Sequence, residues 1–163
     1  MPFTPFHLGP ALFFGLLLFR YLYLPSFFVA SIIIDIEPFL VLALDLNYPL
    51  HGFFHSFMGG SVVAFFLSLI MLRLRNPILR IMSVFKLEQS SSPKKIMLTS
   101  LAGVYLHILM DSQMYTDIKP LYPFELNPFH QSSIFIGLDM FTFSAILFFA
   151  GLTLYLYRLV KVG

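Results

Sequence analysis

The sequence contains no cysteine and no tryptophan, and charge is scarce: 8 acidic and 10 basic side chains among 163 residues. Without cysteine there is neither a disulfide nor a thiolate ligand for a metal. A soluble domain carries roughly 25% charged residues. Here the share is 11%, beside 58% apolar residues and a mean hydropathy of +0.86, which excludes an ordinary water-facing surface. A net charge of +2 is too small to suggest a nucleic-acid partner. What the chain has instead is long apolar runs, so residues 1–163 are expected to form a single integral-membrane domain. The opening "MPFTPFHLGP" has no Lys or Arg, and no small-residue cleavage site follows. It does not read as a removable signal, so the first run is expected to stay as a span.

A membrane-crossing helix needs about 20 mostly apolar residues. Five runs approach this, at about 8–24, 27–46, 52–72, 96–112 and 133–157. The expected fold class is all-α, a polytopic bundle of about five transmembrane helices. The second run reads "FFVASIIIDIEPFLVLALDL". Pro38 disfavours the α conformation at Glu37 and removes a backbone donor, so this helix is expected to break near Pro38. Non-helical backbone at membrane depth survives only against protein or a water-filled cavity. The break would therefore let Asp35, and with it Glu37, face inward.

Six of the ten basic residues lie in 73–95: Arg73, Arg75, Arg80, Lys86, Lys94 and Lys95. Such a loop is expected on the cytoplasmic side, with an interfacial amphipathic turn at 78–85 and the N-terminus outside. This orientation carries His7, Asp45, His51, His55, His107, Asp111 and Asp139 to the outer half of the bundle. His51 and His55 are four residues apart, as are His107 and Asp111, so each pair shares one helical face. Two imidazoles at that spacing can hold one ion. Each pair alone is an ordinary interfacial or packing arrangement. Several at one depth suit a metal, whose charge offsets carboxylates that lipid would otherwise force to protonate. Imidazole and carboxylate without thiolate fit one or two divalent ions, with zinc first and manganese or iron also suited.

The segment "QMYTDIKPLYPFELNPFHQSS" after the fourth run holds three prolines and reads as an outer loop capping this layer. Tyr115, Asp117 and Asn127, together with His51, are candidates to touch a substrate. Lys119, Glu125 and His130 are weaker ones. Each could equally be an ordinary loop side chain.

In order along the chain, His7, "DIEP", "HGFFHSF", "HILMDS" and "YPFELNPF" resemble the membrane-bound metal-dependent hydrolases of bacteria and archaea. Their bacterial members include an inner-membrane protein under LexA control. That family is distantly similar to zinc-dependent phospholipase C and the single-strand-specific zinc nucleases, all-helical phosphodiesterases with clustered metals. The resemblance covers nearly the whole chain. It implies His7, Asp35, His55, His107 and Asp111 as metal ligands, with Asp111 bridging two ions. Two positions depart from it: Glu37 replaces an aspartate, and His51 stands where many members have arginine.

The expected activity is hydrolysis of a phosphoester in a membrane lipid or lipid-linked substrate. Glu37 or Asp139 would accept the proton of the attacking water. Against it stand a metal- or proton-handling transporter or sensor using the same side chains, and a purely structural role for every buried ionisable group.

Overall fold

A computed structural model describes residues 5–130 and 139–162. The described residues form helices and no strands. The helices are α1 (Leu8–Leu17), α2 (Leu24–Ala30), α3 (Ile36–Ala43), α4 (Phe57–Arg73), α5 (Arg75–Val84), α6 (Pro93–Met114) and α7 (Met140–Val162). Single 3-10 turns cover Pro5–His7, Ile33–Asp35 and Phe53–His55.

Helix α6 is the axis of the bundle. Its buried residues recur every three or four positions, through Ile96, Thr99, Ser100, Gly103, Val104, His107, Ile108 and Asp111. That spacing makes one continuous inner face. Two glycines set how closely its neighbours approach. A Cβ on Gly103 would stand 2.6 Å from the Ala30 Cβ, against α2. A Cβ on Gly60 of α4 would stand 2.6 Å from Ile108 and 2.7 Å from Val104. Tyr23, Ala30, Ile34, Ala64, Leu67, Met71, Ile96, Val104 and Ile108 close the apolar core around this contact. Helix α7 packs along α1.

The helix starts follow local chemistry. The Ser56 hydroxyl accepts from the Gly59 N–H and caps α4. The Ser92 hydroxyl accepts from the Lys95 N–H and caps α6, with Pro93 in its first turn. Each satisfies a backbone donor that a helix start leaves unpaired. At the start of α2, the Tyr23 and Leu24 N–H groups donate to Thr99 Oγ1 and Gln89 Oε1. The Gln89 amide also donates to the Phe19 and Leu22 carbonyls. The short α1–α2 turn is thereby pinned to α6 and to the loop before it.

Residues Leu24–Ala43 form one interrupted helix of 20 residues. The interruption lies at Ser31–Asp35, one turn before the expected break at Pro38. Pro38 occupies the first turn of α3, where a missing N–H does no harm. Its ring faces the carbonyl four residues back, so the distortion falls upstream. The Ser31 hydroxyl adds to it by donating to the Phe27 carbonyl, 2.8 Å away, a bond that bends helices.

Among the described residues, two helices are long and apolar enough to cross a membrane, Leu24–Ala43 and Met140–Lys161. A third is added if α4 and α5, bent 75° from one another, count as one. This differs from the expected five. Helix α1 has 10 residues, about 15 Å at 1.5 Å per residue, against roughly 30 Å of hydrocarbon. Helix α6 has the length, but its polar inner face lowers its hydropathy. The start expected for the fifth run, Ser133, lies outside the described residues. The turn expected at 78–85 is part of α5, a full amphipathic helix.

Candidate metal centre

The break in Leu24–Ala43 has a direct consequence. In a regular helix the Ser31 carbonyl would accept from the Asp35 N–H. Here that N–H donates to the Ile32 carbonyl instead, at 3.2 Å. The released Ser31 carbonyl accepts from His107 Nδ1 at 2.8 Å, joining α2 to α6. A carbonyl only accepts, so Nδ1 carries the proton and Nε2 is turned toward the carboxylates.

His107 Nε2 lies 3.4 Å from Asp111 Oδ2 and 3.6 Å from Asp35 Oδ1. His7, at the last position of the first 3-10 turn, places Nε2 3.1 Å from Asp111 Oδ1. Its ring stacks on that of His107, with centroids 4.0 Å apart. One ligand-type atom from each of His7, Asp35, His107 and Asp111 lies within 4.8 Å of the other three, and all four residues are buried. The two His107 contacts are long for hydrogen bonds, and His107 Nε2 has no hydrogen-bond partner. Ligands about 2.0–2.2 Å from one ion in a tetrahedron sit roughly 3.3–3.6 Å from each other. The donor types and their spacing could therefore hold one divalent ion in common.

A second group adjoins the first. His51, His55 and Asp111 also bring one ligand-type atom each within 4.8 Å of one another. His55 is fully buried, and its Nδ1 lies 2.8 Å from Glu37 Oε2. His51 Nδ1 lies 2.9 Å from Asp117 Oδ2. Three imidazoles thus have Nδ1 against an acceptor oxygen, the arrangement that fixes the tautomer of a metal-binding histidine. His55 Nε2, like His107 Nε2, is buried without a hydrogen-bond partner. Asp111 belongs to both groups.

The remaining expected site residues fall in different places. Glu37 is committed on both oxygens. Oε2 takes His55 Nδ1 and the Gly52 N–H, and Oε1 takes the Phe54 N–H. It positions His55 and the turn before α4. Asp117 positions His51. Asn127 donates to the Ser112 and Tyr115 carbonyls and accepts from the Phe129 N–H, so it fastens the loop to the end of α6. Tyr115 lies over His51, with centroids 4.4 Å apart. Burial, and then the charges of Asp111, Asp35 and Asp117, push its phenol up.

Asp139 is exposed and accepts the Thr142 N–H at 2.9 Å. It caps α7 rather than reaching two turns into a span, and the hydrogen bond from Thr142 holds its carboxyl below the usual carboxylate range. Asp45 is exposed and left-handed (φ 48°), turning the chain after α3. Lys119 pairs with Glu125 at the surface. A cavity of about 10 Å³ adjoins His7 and Asp111, walled by Met110, Met114, Tyr115 and Phe141. That is space for about one water.

Sequence reasoning missed the Ser31 carbonyl. Its only signal was a serine one turn before the carboxylate of a proline-interrupted apolar run. No protein-family model, curated protein or solved structure matches the chain.

Proposed function

We propose that the protein is a membrane-embedded, metal-dependent hydrolase acting on a phosphoester of a lipid or lipid-linked substrate. The observation that carries this reading is the set of three imidazoles, each tied at Nδ1, gathered around carboxylates that have too few protein donors of their own. His7, Asp35, His107 and Asp111 would hold one ion, His51, His55 and Asp111 a second, with Asp111 between them and zinc the expected metal. Bound there, such ions lower the pKa of a water toward neutrality and polarise phosphoryl oxygens.

The chain's own side chains supply the rest. Tyr115 lines the cavity beside His7 and Asp111, where a substrate would come against its ring. Asp117 is half-exposed and bonded to His51, which gives a proton a route from the buried group toward solvent. Glu37 and the Ser31 carbonyl hold imidazoles in place. The apolar residues walling the cavity favour a headgroup whose tails remain in lipid.

In the same reading, α6 adds a crossing to those of Leu24–Ala43, α4 and α7, its polar inner face turned to its neighbours. The basic segment 73–95 then lies in the cytoplasm and the metal centre under the outer leaflet, by the excess of Lys and Arg inside. One observation favours a second reading, a metal or proton transporter: the helix break places Asp35 beside unwound backbone, as discontinuous helices do in transporters. Incubating the detergent-solubilised protein with phosphorylated lipids separates the two. Phosphate release that stops with a chelator and with Asp111→Asn supports the hydrolase. Metal flux into liposomes without turnover supports the transporter.

A further inference from the structure

At the end of the bundle away from the histidines, the 75° bend between α4 and α5 opens a groove of about 710 Å³. Its walls include Leu24 and Phe28 of α2, Leu67 and Met71 of α4, and Ile78 and Met82 of α5, and no polar surface is exposed in it. Tyr155 lines it too, but its hydroxyl is used in donating to the Phe85 carbonyl. A second apolar hollow of about 420 Å³ shares Ile70 and Leu74 with this groove and reaches Arg73.

The rim is basic. Arg73, Arg75, Arg80 and Lys86 are all exposed and alternate along the chain with groove residues Leu74, Ile78, Ile81, Phe85 and Leu87. None of the four has an ion-pair partner among the described residues. Glu88 is the one acidic residue in 73–95. Helix α5 itself turns apolar side chains into the groove and arginines outward, the pattern of a helix lying in a membrane interface. An apolar slot beneath clustered cations is complementary to a molecule with a hydrocarbon tail and a negative head.

We propose that this groove is a binding site for an anionic phospholipid, with an acyl chain between α2, α4 and α5 and the phosphate against the basic rim. The site is separate from the metal centre and does not depend on the hydrolase reading.

The full chain, reconstituted in nanodiscs of equal phosphatidylcholine and phosphatidylglycerol, is extracted into mild detergent and its retained lipid is weighed by native mass spectrometry. Phosphatidylglycerol should exceed phosphatidylcholine about fivefold, the effect of roughly one cation near an anionic headgroup. Arg73→Gln, Arg75→Gln and Arg80→Gln together, all at exposed positions, should bring the ratio to parity. Met82→Trp, or the milder Ile78→Phe, should reduce retained lipid of both kinds by filling the groove. Equal retention by the wild type, or an unchanged ratio in the triple variant, would overturn the proposal. So would unchanged retention in both groove variants, which would assign the preference to surface charge alone. A wild-type dimer that Met82→Trp splits would instead seat a second copy of the chain in the groove.

Discussion

The two groups of ligand-type side chains share Asp111 but are held differently. His7, Asp35, His107 and Asp111 form a complete buried donor set, and the backbone anchors it: the Ser31 carbonyl that holds His107 exists because a helix breaks. In the group of His51 and His55, side chains do the anchoring, through Glu37 and the half-exposed Asp117. One group is fixed by the path of the main chain through the bundle. The other is assembled by a turn and a loop that fold over it. The second should therefore respond to point substitutions of its supports, and the first chiefly to loss of its own ligands.

The largest effect falls where the groups meet. Asp111→Ala should abolish both sites, lowering affinity by more than the roughly 10–100-fold that loss of an outer-shell partner costs. Titration with zinc in competition with a chromogenic chelator measures it. His107→Ala comes next and should empty the first group while the second retains part of its metal. It should also destabilise the metal-free protein by about 3–5 kcal/mol, because Asp35 then loses its buried imidazole partner and Asp111 keeps only His7. Thermal unfolding without metal checks that figure.

Glu37→Gln sharpens the contrast. It should weaken metal binding at the second group about 10–100-fold and leave the first unchanged. Equal weakening of both would erase the distinction between backbone and side-chain anchoring. Asp117→Asn acts on the same group through a more solvated partner and should do less than Glu37→Gln in the same titration. Smallest of all, Asp139→Ala should not change metal content. It should lower the thermal midpoint slightly, as removal of a helix cap does.

Much of the site could be read from the chain because the i, i+4 pairs and the proline-interrupted carboxylates are local signals. The spacing of His107 and Asp111 puts them on one helical face whatever surrounds them. Asp35 faces inward because Pro38 distorts the helix before it. What the sequence did not reveal depends on tertiary partners. Glu37 read as a candidate base for the attacking water, and its bonds to His55 and the turn before α4 were not foreseen. Asp139 looked embedded because the apolar run around it is long, but α7 begins only at Met140. The number of spans depends on tertiary packing in the same way. Apolar composition does not separate a helix that faces lipid from one that packs along another, as α1 packs along α7.

The most direct test is X-ray absorption at the metal edge of protein purified without chelator, with metal content determined on the same sample. The account predicts at least one divalent ion per chain, with nitrogen and oxygen ligands about 2.0–2.2 Å away and the multiple-scattering signature of two or more imidazoles. A chain that carries no stoichiometric metal after zinc loading, or an ion surrounded by oxygen alone, would contradict it.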